Sequence, residues 1–393
     1  MLNLLVRNKR LPIGLDIGAD SVKMLQVQQA GASWSVCAGG MVRLPVEASK
    51  EPSQRRKQIT AAVKELLGKG AFRGRRIVTA LSSELSIKSV RLPSMPETEL
   101  REAVKWEAKE RFGFDVAPDQ LSFIDAGEVR NGNEISREVI MLAAPREVID
   151  DHLALLLGMG LHPVHIDAAP VALFRSFERL LRRRADEQVV SVVVDVGCSA
   201  TRVVVARGRQ IVFIKSVDIG GAKLTEAVAR QFNLGYEDAR QFRIKKAREH
   251  LRNLSEQQEG QQIGKPEIGK PAQDSLDWSV RDALRAQVES LAGEIALCLR
   301  YCSVTFRGLR PGQVILSGGE AYDPFVTATL GEHLRVECTL GRPFQGIAIL
   351  NADLGSDRGA HAEWAVCAGL ATWDLAAGAN LPEADHGENR LSA

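Results

Sequence analysis

Gly14-Leu15-Asp16-Ile17-Gly18-Ala19-Asp20-Ser21-Val22-Lys23 is matched about 180 positions later by Val193-Val194-Asp195-Val196-Gly197-Cys198-Ser199-Ala200-Thr201. Each stretch is an apolar strand that ends in Asp, turns on Gly, passes through small or hydroxyl residues and starts a second strand. The chemistry of such a turn suits phosphate. Gly18 and Gly197 let the backbone approach an anion and aim N–H groups at it. Ser21, Ser199 and Thr201 add hydroxyl donors. Asp16 and Asp195 would repel a phosphate directly, but suit a hydrated Mg²⁺ that bridges to phosphate oxygens. One Asp-x-Gly is an ordinary strand end. Two, in matching context and in separate halves of the chain, predict a clamp that grips a polyphosphate from both sides.

Working outward, Val314-Ile315-Leu316-Ser317-Gly318-Gly319-Glu320-Ala321 reads as a buried strand running into a Gly-Gly turn, where a purine and ribose could lie against bare backbone. Gly220-Gly221, followed by Lys223, Leu224, Thr225 and Glu226, reads as another turn opening a helix; its plain alternative is a helix cap without ligand.

The remaining pattern predicts strands at Ile13 to Asp16, Val22 to Val27, Trp34 to Arg43 and Ile77 to Leu81, and a helix from Gln54 to Leu67. From Leu85 to Asp167 it predicts a compact α+β unit. Its parts are a strand to Arg91, a helix from Glu97 to Arg111, strands from Gln120 and Ile135 joined at Asn131-Gly132-Asn133, a helix from Arg146 and a closing strand at Leu161 to Asp167. These elements could close their own core as an inserted subdomain. Ala169 to Arg184 reads as a helix whose terminal Arg182-Arg183-Arg184 suits the negative end of the helix dipole, with phosphate binding as the sharper alternative. The expected division is residues 1–84 plus 168–188 for the first lobe, 85–167 for the insert and 189–376 for the second lobe. Residues 255–275 read as a Pro/Gly-rich mobile loop, and 377–393 as a polar disordered tail.

Composition narrows the class. At 393 residues the chain is long for one ordinary domain, and 45% hydrophobic residues supply sizeable cores. Fifty-one Lys+Arg against 49 Asp+Glu leave +2, without the basic excess of a dedicated nucleic-acid binder. Six scattered cysteines form no CxxC pair, and Cys298 and Cys302, one helical turn apart, read as buried apolar positions rather than a metal edge. The histidines have no ligand spacing, and the tryptophans, Trp106 among them, read as core or interface anchors. The short run Leu2 to Val6 is no signal peptide, so a cytoplasmic protein is expected.

The order Asp16-Ile17-Gly18, Asp195-Val196-Gly197, Gly220-Gly221, Gly318-Gly319-Glu320-Ala321 resembles the actin/Hsp70/FtsA superfamily. With Trp106 to Asp115 and Gly160 to Asp167 it is similar to the PilM family of type IV pilus assembly proteins. The resemblance implies an α/β, actin-like ATPase fold: two RNase H-like lobes with an α+β subdomain (SHS2-like) inserted in the first. It also implies ATP and Mg²⁺ as ligands. Gly18, Ala19, Asp20, Ser21 and Lys23 would form one phosphate loop, and Gly197, Cys198, Ser199 and Thr201 the other. Asp16 and Asp195 would stand on the metal side. Gly220, Gly221, Thr225, Arg243, Gly318, Gly319 and Glu320 would surround the nucleoside.

By the same resemblance the chain is a scaffold peripheral to the inner membrane of a type IV pilus or related type II secretion machine. A PilN-type membrane protein would insert its N-terminal cytoplasmic peptide between first lobe and insert, with pilus motor or platform proteins as further partners. Two departures stand out. Ala169 replaces an acidic residue, so hydrolysis lacks its usual water-positioning group. Arg240, in Ala239-Arg240-Gln241-Phe242-Arg243, replaces a carboxylate near the nucleoside. An actin-fold ATPase or small-molecule kinase, with Asp167 as the nearest base, and an FtsA-like division protein are the competing readings.

Overall fold

The computed structural model describes residues 9–374 apart from 32, 46–50, 71, 132–133, 182, 261–274, 307–310, 351, 353 and 356–358. Most of the loop expected at 255–275, the tip of the turn at Asn131, Arg182 and the expected tail therefore lie outside the described residues. The chain opens with β1 (Lys9–Arg10), β2 (Ile13–Ile17), β3 (Ser21–Ala30), β4 (Ser33–Arg43), α1 (Pro52–Lys69) and β5 (Arg76–Leu81). The insert follows as β6 (Ser86–Pro93), α2 (Glu97–Arg111), β7 (Leu121–Asn131) and β8 (Glu134–Ala143), then α3 (Arg146–Gly158), β9 (His162–Ala168) and α4 (Ala169–Glu178). The second half holds β10 (Val190–Val196), β11 (Thr201–Arg207), β12 (Gln210–Val217), α5 (Gly221–Phe232), α6 (Tyr236–Gly260) and α7 (Ser275–Thr305). It ends with β13 (Gln313–Ser317), α8 (Pro324–Leu334), β14 (Glu337–Leu340), β15 (Ala348–Ile349) and α9 (Ala365–Ala371).

Two sheets repeat one topology. The first runs β4-β3-β2-β5-β9, with β15 beside β4 and β1 beside β3; the second runs β12-β11-β10-β13-β14. β2 pairs antiparallel with β3 and parallel with β5, and β10 likewise pairs antiparallel with β11 and parallel with β13. This is the duplicated, two-lobed architecture of the actin-like fold.

Side-chain alternation explains how the layers stack. On β10, Val192, Val194 and Val196 enter the core under α5 and α7, whereas Val193 faces the layer of α4 and α9. Both faces are covered, so the strand reads as a continuous apolar run. On β2, Ile13 and Leu15 face α1 and α3, and Gly14 faces α9. A Cβ on Gly14 would stand 2.5 Å from the Ala371 amide, so only glycine lets α9 lie this close. Gly369 plays the same part between α9 and α4, where a Cβ would overlap the Ala172 carbonyl.

Three expectations about how the chain divides are corrected or extended. First, the strand at Leu161 to Asp167 does not close the insert. β9 pairs parallel with β5 in the first sheet, and Leu156 and Leu161 join the core of Ile13, Leu15 and Ile77. Second, the insert closes a core of its own between its sheet and α2, as expected, but the other face of that sheet serves a second core. Val139, Met141 and Ala143 of β8 pack under α2, but Ile140 and Leu142 point the other way, into a cluster shared with Val204, Ile211 and Ile214 of the second lobe. Third, the last stretch of the expected second lobe returns to the first: β15 pairs with β4, and Cys367, Ala368 and Ala371 of α9 pack with Leu25 and Val27 of β3. The helix expected to reach Arg184 stops at Glu178.

Candidate functional site

The two Asp-Gly hairpins face one cleft of about 230 Å³ between the lobes. Asp16, Gly18, Ala19, Asp20, Ser21 and Lys23 line it from the first lobe; Asp195, Gly197, Cys198, Ser199, Gly318, Gly319 and Glu320 line it from the second. The two turns are built alike. The Gly18 amide donates to the Ser21 carbonyl at 2.9 Å, and the Gly197 amide to the Ala200 carbonyl at 3.1 Å. Those two N–H groups are consumed within their own turns. Donation to an anion therefore falls to Ala19, Asp20, Cys198 and Ser199, whose amides have no backbone acceptor among the described residues.

Strand register sets a second symmetry. Asp16 lies opposite Lys23 across β2 and β3, and Asp195 opposite Arg202 across β10 and β11. Each carboxylate binds the cation facing it: Lys23 Nζ stands 3.4 Å from Asp16, and an Arg202 Nη 2.8 Å from Asp195. Burial works against the Lys23 ammonium, but Asp16, Asp20 and Asp195 together raise its pKa above the ordinary lysine value. Arg202 also donates to the Ser82 hydroxyl at the end of β5, joining the lobes at the cleft floor. At the mouth, Arg240 of α6 crosses to Asp20 at 2.9 Å.

The second-lobe side of the cleft is backed by a buried polar network. Arg243 donates to Glu320 at 2.6 Å, to the Thr225 hydroxyl at 2.9 Å and to the Gly221 carbonyl at 3.2 Å. Thr225 and Arg243 stand behind the cleft wall rather than in it. The Thr201 hydroxyl is buried and donates to the Ile219 carbonyl at 2.6 Å, so it faces the fold, not the cleft. Gly220 and Gly221 are close-approach positions. The Gly221 and Ala222 amides at the start of α5 bind the Gly197 and Cys198 carbonyls, tying the helix to the second turn. Gly318 adopts φ 89° over the Val196 carbonyl, where a side chain would collide. Burial pushes the Cys198 thiol up to about 11, which leaves it an uncharged lining group.

Arg202 and Ser82 carry no signal as isolated residues. Arg202 becomes legible once Asp16-to-Lys23 and Asp195-to-Arg202 are seen to span the same seven positions on equivalent hairpins. Asp167, the candidate base, is partly buried and paired with Arg175 at 2.5 Å. Among the described residues no group of three or more His, Cys, Asp or Glu could alone hold a metal ion. Cys298 and Cys302 lie in the second lobe's core.

The sequence profile of the family described as type IV pilus assembly protein PilM matches residues 14–258. The chain belongs to the PilM family. A solved PilM–PilN type IV pilus biogenesis complex is similar over 93% of this PilM-family chain and 98% of its own, at 25% identity and a TM-score of 0.70. Likeness extends to the ethanolamine utilization protein EutJ from Carboxydothermus hydrogenoformans, at 14% identity over 92% of this chain and 89% of that one, TM-score 0.49. MreB5 of Spiroplasma citri matches at 12% identity over 93% and 96%, TM-score 0.47. Among the described residues no helix is long and apolar enough to cross a membrane.

Proposed function

We propose that the chain is a cytoplasmic, ATP-binding scaffold of a type IV pilus, or related type II secretion, inner-membrane platform. The carrying observation is that two hairpins of identical design, one per lobe, line one cleft with glycine turns and a lysine. Phosphates lie between the turns, against Lys23 and the free amides, and the nucleoside lies toward Gly318, Gly319 and Glu320. Asp16 and Asp195, as hard oxygen donors, would hold Mg²⁺ beside the phosphates. The ion would supply charge neutralisation to the polyphosphate, while Lys23 and Arg202 already offset the two carboxylates.

Turnover is slow in this reading. Ala169 lines the cleft where a carboxylate would hold a water, and Asp167 is committed to Arg175. A kinase would need a base that this arrangement does not offer. Nucleotide binding instead biases the lobes toward closure. Because the insert shares a core with the second lobe, that bias reaches the surface offered to a partner. By analogy with the solved PilM–PilN complex, the partner is a PilN-type membrane protein, contacted through its N-terminal cytoplasmic segment.

Calorimetric titration of ATP, with and without Mg²⁺, tests the cleft. Micromolar-range binding that is weakened by Asp16→Ala or Asp195→Ala is expected; no heat under any condition sinks the nucleotide reading. Co-purification with a PilN-type N-terminal peptide tests the scaffold separately.

A further inference from the structure

Arg183 and Arg184 are not used by the cleft. Their plain reading, cations neutralising a helix end, fails because α4 stops at Glu178. Arg183 and Arg184 instead open a short 3-10 turn, Arg184–Gln188, on the rim of a second concavity of roughly 1420 Å³. None of its lining residues is shared with the nucleotide cleft. The two lie at opposite ends of the same strands. β3 starts in the cleft at Ser21 and runs ten residues toward Trp34 in the groove wall, roughly 33 Å of extended chain. β11 likewise starts beside the cleft and ends at Arg207 in the groove.

The groove concentrates positive charge in a chain that is close to neutral overall. Six arginines line it, Arg175 committed to Asp167 and the other five set against three carboxylates, Glu178, Asp186 and Glu187. Asp186 is engaged by the Arg183 backbone amide at 2.8 Å. The side chains of Arg183 and Arg184 make no hydrogen bond or ion pair with any described residue, and Arg207 donates only to the neutral Gln188 amide oxygen. Arg209 stands 3.9 Å from Glu178. The rim is held in place: the Gly208 amide donates to the Val189 carbonyl at 2.8 Å, fixing the β11–β12 turn against the 3-10 segment. Arg179 anchors the opposite wall by donating to the Pro343 and Gln345 carbonyls. Guanidinium forks gathered on a fixed concave frame match phosphoryl oxygens bidentately, and they are poorly explained as a solvated face.

We propose that this groove is a second anion site, separate from the nucleotide cleft, which takes phosphoryl groups on Arg183, Arg184 and Arg207. The phosphoryl group comes either from a soluble phosphorylated ligand or from the headgroup of an anionic lipid. Walls from both lobes and from the segment joining them make the bound state sensitive to lobe position.

The test uses the full chain and the Arg183→Gln/Arg184→Gln variant, with Arg207→Gln as a second, independent change. Inorganic pyrophosphate is titrated calorimetrically, and co-sedimentation is measured with phosphatidylglycerol-containing and with pure phosphatidylcholine vesicles. Any pyrophosphate bound in the cleft contributes equally to wild type and variants. A drop of ten-fold or more in pyrophosphate affinity in the variants assigns a soluble ligand. Loss confined to the phosphatidylglycerol vesicles assigns a lipid headgroup. Equal behaviour of wild type and both variants in the two arms overturns the site.

Discussion

Arg240, on helix α6 of the second lobe, holds the Asp20 carboxylate in the glycine turn of the first lobe across 2.9 Å. Arg43 of the first lobe reaches the same carboxylate at 3.4 Å. With Arg202 and Ser82 at the floor, this pair closes the cleft at two levels by the protein's own side chains. The arginine at 240 therefore acts on lobe geometry, tying the second lobe to the first.

The Arg240–Asp20 clasp is partly exposed, so its coupling energy should be about 1 kcal/mol in a double-mutant cycle. Arg240→Ala is expected to speed release of a fluorescent ATP analogue by about five-fold, that energy read as a rate. The exchanged pair Asp20→Arg/Arg240→Asp should recover part of the loss. Unchanged release in stopped-flow traces would remove the clasp from the account.

Lys23→Met should weaken ATP binding ten-fold or more, about 1.4 kcal/mol or above, through loss of a charge-assisted contact. Because its folded pKa is raised, the ammonium persists across the neutral range, and its contribution fades only as pH rises past the ordinary lysine value of about 10.4. Titrations at pH 6.5 and pH 8.5 should then show equal dependence on Lys23.

Breaking the Arg243–Glu320 pair strands a carboxylate beside the partly buried Asp323, whose own pKa desolvation already raises. Arg243→Met should cost about 2–3 kcal/mol, below the range for fully buried pairs because Glu320 keeps some solvent contact. Arg243→Met/Glu320→Leu should be more stable than the single variant in urea unfolding. The reverse order would mean that the network holds no uncompensated charge.

Gly369→Ala pushes a methyl group into the Ala172 carbonyl and should destabilise by about 3 kcal/mol, the upper end for overpacking. The expected readout is a lower urea midpoint. A midpoint within error of wild type would show that α4 and α9 can separate freely.

His165 stacks on Trp373 with ring centroids 4.6 Å apart, and burial lowers its pKa. The folded state thus binds this proton more weakly than the unfolded chain. Its stabilisation is complete above the unfolded value of about 6.5 and is lost as pH falls below it. His165→Phe should flatten the decline in melting temperature between pH 7.5 and pH 5.5. Parallel curves for the two proteins would place the acid sensitivity elsewhere, His152 being the next candidate, since burial lowers it too.

The residues alone determined the two Asp-Gly hairpins, the strands that feed them and the Gly318-Gly319 turn, since turn chemistry and side-chain periodicity are local properties. They also fixed α/β character and a doubled design. The tertiary structure decided what pairs with what. β9 lies in the first sheet rather than the insert, because a parallel partner is chosen across the fold and not by neighbours in sequence. Ile140 and Leu142 serve a different core from Val139 and Met141, because alternation names two faces without saying what covers either. The cations on Asp16 and Asp195 follow from register, and the reach of Arg240 to Asp20 follows from the packing of two lobes. Local sequence encodes shape one segment at a time, whereas a site between lobes exists only once long-range burial has fixed where the segments meet.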